Sequence, residues 1–399
     1  MVVHLQNVKA PLQTNRLKSR MLEDASLTSQ EAAITSTAQF DLGPGYPITL
    51  PFDSSLLAKS RSITSPDPGA SAFVSNCNLI LDIPPNNAAF AALTGSVALQ
   101  RAIAATRNIA ERNGRPIGKV ILSTPTIDIG PLMLRELPSL DIAYVTPNRA
   151  TLIPDVDAIV RLAAFQNSPV STLVLITSPE NPTGYTWSRA DLGRLMQACV
   201  DGGNYLVVDH AFALFGHAGE RTPCVWDEDL PGCDWIGTWD TGKTWYEQGD
   251  KLGLLVSALR NSDTALQALN VLQLEVSSRT AELFAELTKP DHAELQVRRI
   301  ARACESNRQT IKSLESTLGW TNIATNAGTF ALIDIGRQSD TTVQAQLLRS
   351  GVGVVAAHSF FQPHQDVHTY LRLALARDPD YFESALDIAA RVCARNSGE

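Results

Sequence analysis

The sequence predicts an α/β protein in which a mostly parallel sheet is covered by helices on both faces and followed by a smaller α+β unit. Three observations carry this. Short apolar runs recur at 119–124, 140–145, 172–177, 205–209, 235–239 and 252–257, each the length of a buried strand. Helical spacing separates several of them, as over Ser188–Asp201. Beyond residue 262 the texture shifts to long helical patterns with scattered short strands.

Taken in order, residues 15–35 read as an amphipathic or arm-like helix, and Phe40–Pro47 is turn chemistry. Pro and Gly recur to about residue 70, which predicts an extended arm lying over other structure. Ser96–Asn113 sets Val97, Leu99, Ala102, Ile103 and Ile109 at helical spacing. The six strand candidates follow, and then two long helical patterns at 262–287 and 291–317. Short strands are predicted at Thr329–Ile335, Val352–Ala356 and Thr369–Ala376, before a final helix over Asp380–Arg395. The organisation expected is an N-terminal arm or part of the small domain over 1–50, a large domain over 51–288 and a small C-terminal domain over 289–399.

Composition narrows the function. With 44% hydrophobic residues in 399, the chain can bury a sizeable core. A net charge of −8, from 41 acids against 33 bases, argues against a nucleic-acid partner. No apolar run has the length of a membrane span. Met1–Gln13 lacks a basic stretch leading into an apolar one, so no secretory leader and a cytoplasmic setting are expected. The six cysteines are scattered without a C-x-x-C pair, which reads as reduced, mostly buried thiols. His364 and His368 have helical metal-ligand spacing, but Pro363 argues against a helix, so no metal site is expected.

In open α/β sheets ligands sit at the carboxyl ends of the strands. Here those ends carry Ser178-Pro-Glu-Asn-Pro-Thr-Gly184, Asp209-His-Ala-Phe212 and Asp240-Thr-Gly-Lys243. Each has a plainer reading by itself: Asn-Pro-x-Gly as a turn, Asp209 as a helix cap, Lys243 as a solvated lysine. Their order and intervals carry the stronger one.

Together with Thr94-Gly95-Ser96 upstream and Arg372 in Tyr370-Leu-Arg-Leu-Ala-Leu375 downstream, these residues resemble the fold-type-I pyridoxal-phosphate enzymes, the aspartate-aminotransferase-like class I and II group. The resemblance runs from Gly45-Tyr-Pro47 to Arg372 and implies pyridoxal 5'-phosphate as cofactor. It implies that Lys243 is the Schiff-base lysine and that Asp209 meets the pyridine nitrogen. By the same resemblance Asn181 bonds the phenolic oxygen, Thr94, Gly95, Ser96 and Lys251 surround the phosphate, Thr241 is a further cofactor-binding residue, and Arg372 grips the substrate carboxylate. The chemistry is consistent. A buried lysine with a lowered pKa can condense with an aldehyde, and helix N-terminal N–H groups suit a phosphate. An arginine holds a carboxylate through two parallel hydrogen bonds.

Departures from the ordinary pattern point to a narrower subgroup. Phe212 stands where the family usually has tyrosine, Ile127 where an aromatic stacks on the ring, Asp240 where serine is common, and Lys251 where arginine is usual. This set, with Pro125-Thr-Ile-Asp128, resembles the dioxygen-using enzymes of natural-product (antibiotic) biosynthesis such as the L-arginine oxidases and hydroxylases. The resemblance implies an oxidase or oxidative deaminase acting on an amino-acid-like small molecule, with dioxygen as a further partner. A homodimer with the coenzyme site between subunits, and substrate contacts from Arg372, Asn181 and Asp240, are also implied. Plain transamination, elimination or replacement at the β or γ carbon, and a non-enzymatic regulatory protein on the same fold are the rival readings.

Overall fold

The structure is a computed structural model that describes residues 27–50, 69–137, 139–166, 169–228, 230–245, 250–273, 275–323, 325, 327–361, 367 and 369–396. Residues 15–26 of the predicted arm helix, most of the Pro/Gly-rich stretch, His364 and His368 lie outside these.

The chain opens with α1 (Leu27–Thr37) and β1 (Phe40–Asp41), then α2 (Gly69–Ile80), β2 (Asn87–Ala92), α3 (Gly95–Arg112), β3 (Ile117–Ser123), α4 (Ile129–Arg135) and β4 (Asp141–Val145). It continues through α5 (Val156–Ala163), β5 (Ser171–Thr177), α6 (Arg189–Gly202), β6 (Tyr205–Asp209), β7 (Asp234–Asp240) and β8 (Gly253–Ala258). These strands form one seven-stranded sheet in the order β2-β8-β7-β6-β5-β3-β4. All neighbours are parallel except β8, which runs antiparallel to both β7 and β2.

The unbroken apolar runs have the reason anticipated: both faces of the sheet are covered. Every residue of β5 is buried. Its Leu173 and Leu175, with Val207, Ile236 and Leu255, join Leu99, Ala102 and Ile103 of α3 in one apolar cluster. Its Val174 and Ile176, with Leu206 and Val208, pack with Leu192, Leu195 and Met196 of α6 in another. Local chemistry sets the helix ends. Thr94 caps α3 by accepting the Val97 N–H at 3.1 Å, and Ser188 caps α6 by accepting the Asp191 N–H at 3.1 Å. Gly203 ends α6 in the left-handed region at φ 60°.

Beyond the sheet, α7 (Ser262–Asn270), α8 (Ser278–Leu287) and α9 (Pro290–Leu318) lead to β9 (Thr321–Asn322), β10 (Phe330–Asp334), α10 (Asp340–Arg349), β11 (Val352–Gly353), β12 (Val355–Ala356), β13 (Tyr370–Ala374) and α11 (Pro379–Asn396). A second, antiparallel sheet has the order β12-β13-β10-β9. The N-terminal segment joins this end of the molecule, because β1 pairs in parallel with β11.

Two expectations need correction, and two elements were not predicted. The helix predicted over 262–287 is two helices: Val271 and Leu272 continue the apolar pattern but are 73% and 49% exposed, and Ser277 caps the restart at α8. The strand predicted over 352–356 divides between two partners, β1 and β13. The helix α2, for which no prediction was made, starts where the expected arm ends and forms because Phe73 and Cys77 bury against the core. The alanine-rich β2 was not anticipated. Among the described residues no helix is long and apolar enough to cross a membrane, and all six cysteines are buried.

Candidate active site

The chain reverses direction across the large sheet at β3, since β4 flanks it on one side and β5 on the other. At the carboxyl ends of these strands lies a cavity of about 250 Å³. β6 delivers Asp209, β7 delivers Asp240, and the turn that follows delivers Lys243. The loop after β5 brings Asn181, the N-terminus of α3 brings Gly95 and Ser96, and Ile127, Phe212 and Lys251 complete the predicted set. Arg372 arrives from the second sheet, at the centre of β13 between Leu332 and Val355. Thr94 and Thr241 stand behind the wall. Thr94 is spent on capping α3, and the Thr241 hydroxyl accepts the Leu252 N–H at 2.9 Å.

Geometry and charge are tightly linked here. Asp209 Oδ1 accepts the Ala211 N–H at 3.0 Å and the Thr238 hydroxyl at 3.3 Å. Burial raises this carboxyl to about 6, with Asp240 adding and these hydrogen bonds and Lys243 opposing. Lys243 Nζ lies 4.1 Å from the centre of the Tyr46 ring and 5.5 Å from that of Phe212. Burial pulls its amine down, but Tyr46, Asp240, Glu31 and Asp209 outweigh this and hold it above the ordinary lysine value. The lowered pKa expected from the sequence is thereby reversed in the chain alone, because acids from four separate segments converge on the amine.

Arg372 is 1% exposed. Its Nη2 donates to Glu31 Oε1 at 2.6 Å and to the Gly43 carbonyl, and its Nη1 reaches Asn181 Oδ1 at 3.4 Å. Its Nε is buried and has no hydrogen-bond partner among the described residues. Because Asn181 turns its oxygen to Arg372, its amide N–H groups are left for another acceptor.

Several residues were missed by sequence reasoning. Glu31 and Leu27 enter from α1, Asp128 accepts the Leu27 N–H at 2.7 Å, and Tyr46 comes from the turn after β1. That turn is held by the buried Arg377, whose Nε donates to Asp41 O at 2.7 Å, Nη2 to Pro44 O at 2.8 Å and Nη1 to Tyr46 O. His210 is buried behind Asp209, with Nδ1 at 3.0 Å from Ser178 O and Nε2 accepting the Val225 N–H at 3.0 Å. Burial lowers its pKa to about 3, so it acts as a neutral strut. Tyr46, Asp128, His210 and Arg377 lie in or beside motifs already quoted, whereas nothing in the sequence marks Leu27 or Glu31.

A pyridoxal phosphate group fits this donor set. The first turn of α3 leaves N–H groups without intrahelical partners beside Lys251, an amine and a carboxylate face one cavity, and the orphaned Arg372 Nε awaits an acceptor. Gly95 belongs to the same cradle: a Cβ there would collide with the Asp240 carboxylate.

Glu180 supports the Asn181 loop from beneath. It is fully buried and accepts hydroxyl hydrogen bonds from Ser123 and Thr183, each at 2.8 Å. Burial pushes its carboxyl up from 4.5 to about 8 against those two bonds. Between those values the folded chain keeps a proton that the unfolded chain has released, so stability falls as pH rises through this window. Glu180→Gln does not titrate. Denaturant midpoints should therefore shift in favour of the variant, relative to wild type, between about pH 5 and about pH 9; a constant difference would show that Glu180 stays ionised.

Comparison with known proteins agrees with this geometry. The sequence pattern described as aminotransferase class I and II matches residues 143–388, more than half of the chain. Histidinol-phosphate aminotransferase 2 of Methylococcus capsulatus is 27% identical over 227 residues, 55% of this chain and 56% of its own length. The chain spans less than two thirds of the length of each curated relative it matches. Among solved structures, MppP soaked with the product 2-ketoarginine superposes with a TM-score of 0.67 at 21% identity, covering 90% of this chain and 98% of its own. YbdL from Escherichia coli, described with a methionine aminotransferase function, superposes with a TM-score of 0.75 at 16% identity, covering 96% and 100%. At these identities the two structures share the fold.

Proposed function

The chain belongs to the aminotransferase class I and II family and is a pyridoxal-phosphate-dependent enzyme, and from that premise we propose that it oxidises an α-amino acid or amino-acid-like metabolite with dioxygen. The cofactor supplies an aldehyde that condenses with amines and a ring that accepts electrons from the adjacent carbon. The residues of the chain do the rest. Lys243 anchors the cofactor and moves the proton at the substrate Cα. Asp209 holds the proton on the ring nitrogen, and Asn181 donates to the phenolic oxygen. The first turn of α3, with Ser96 and Lys251, holds the phosphate. Arg372 grips the substrate α-carboxylate, and Asp240, whose Oδ1 accepts the Gly242 N–H and whose carboxylate lies against Gly95, borders the phosphate cradle.

The observation that supports oxidation over group exchange is Phe212. It lines the cavity at 5.5 Å from Lys243 Nζ and packs edge-on against Phe330 at 5.0 Å, so this side chain has no hydroxyl to donate to the ring oxygen. Net oxidative deamination would consume dioxygen and water and yield a keto acid, ammonia and hydrogen peroxide. MppP, in whose structure 2-ketoarginine is the product, is in keeping with a keto-acid outcome. Transamination is the second reading, favoured by the aminotransferase names among the relatives. The proposal extends to a cytoplasmic homodimer with the site between subunits, and to the division into an arm over 1–50 and domains over 51–288 and 289–399.

An oxygen electrode separates the two readings. With a competent amino acid, oxygen uptake should match product formed, and added keto acids should change nothing. Amino-group exchange with keto acids, at the same rate in an anaerobic cuvette, would establish transamination instead.

A further inference from the structure

We propose that Glu31 is an internal competitor for the substrate carboxylate at Arg372, and so sets how tightly this clamp binds a carboxylate. The inference rests on the reading of Arg372 as the carboxylate clamp. A guanidinium binds a carboxylate through two parallel N–H groups, either end-on through Nη1 and Nη2 or side-on through Nε and Nη2. Both forks use Nη2. Both N–H groups of Nη2 are already engaged, one by Glu31 Oε1 at 2.6 Å and the other by the Gly43 carbonyl. A bidentate substrate carboxylate must therefore displace one of them.

Gly43 cannot yield easily. Its N–H is held by Asp41 at 2.9 Å, and the turn around it is clamped by Arg377. Glu31 can, because its side chain is 22% exposed and extends from α1. The helix itself is anchored without Glu31: the Leu27 N–H donates to Asp128 at 2.7 Å, Gln30 accepts the Ala356 N–H at 3.1 Å, and Ile34 is fully buried. Glu31 is thus a tethered carboxylate presented to the clamp at high effective concentration, and it raises the apparent Kd of any ligand that needs the same nitrogen. A compound that offers only a carboxylate competes poorly. Every carboxylate that uses this fork meets the same penalty, so Glu31 sets the affinity of the clamp, and the choice between acids is left to the other contacts in the cavity.

The test uses the holoprotein, identified by its visible cofactor absorbance, and propionate, a monocarboxylate with no amino group to react. Calorimetric titration should show Glu31→Gln binding propionate about tenfold or more tighter than wild type, the scale of one charged hydrogen bond removed from competition. Glu31→Asp keeps the charge but shortens the reach by a methylene and should fall between them; it decides the matter alone if Glu31→Gln does not fold. Unchanged or weaker binding in the folded variants overturns the proposal and makes Glu31 a support of Arg372. A preparation without cofactor absorbance counts against the proposed function instead, which keeps the two failures apart.

Discussion

Lys243→Ala should abolish turnover, with a loss of roughly a thousandfold or more, because one side chain both anchors the cofactor and moves the Cα proton. The fold should survive. The turn that carries Lys243 is held by backbone bonds from Thr244 N and Trp245 N to Thr241 O, at 3.0 and 2.8 Å, and none of these needs the lysine side chain. A folded variant with a somewhat lower denaturant midpoint at neutral pH, beside lost turnover, is the expected pair, because the ionised amine is favoured by its buried neighbours. A variant with half the wild-type rate would remove Lys243 from the chemistry.

Asp209→Asn should lower turnover by roughly a hundred- to a thousandfold, the scale seen when a single fixed electrostatic partner is lost from a reaction centre. The amide keeps the shape and can still accept from the Ala211 N–H and the Thr238 hydroxyl, so only the charge goes. Stability should move the other way. The carboxyl titrates near 6 in the fold against 3.8 ordinarily, so the folded chain binds more protons between those values, and ionised Asp209 costs stability above them. The variant without ligand should therefore be at least as stable as wild type at neutral pH while being nearly inactive. Lost activity accompanied by lost stability would make the carboxylate structural.

What could be read from the sequence was whatever the chain writes locally. The ends of β5, β6 and β7 were visible because each buried apolar run gives way to polar residues, and from those ends and the loops after them Asn181, Asp209, Asp240 and Lys243 meet in one cavity. The start of α3 was visible through Thr94, whose side chain caps it. The remainder depends on packing between distant segments. Glu31 and Arg372 are 341 positions apart, and Arg377 reaches Asp41 across 336. Nothing near Glu31 marks it as a partner of Arg372, and nothing near Tyr46 announces Lys243. The direction of the Lys243 shift failed for the same reason: burial, Asp209 and Asp240 were foreseeable, whereas Tyr46 and Glu31, brought in from the N-terminal segment, were not. β2 escaped because its half-buried alanines carry no alternating pattern, and it is defined by pairing with β8.

The account stands on Lys243 as the residue that carries the cofactor. Borohydride reduction of the yellow holoprotein, followed by digestion and mass spectrometry, tests this most directly. The account predicts the added pyridoxyl-phosphate mass on the peptide containing Lys243; the same mass on Lys251 or any other lysine, with Lys243 unmodified, would contradict it.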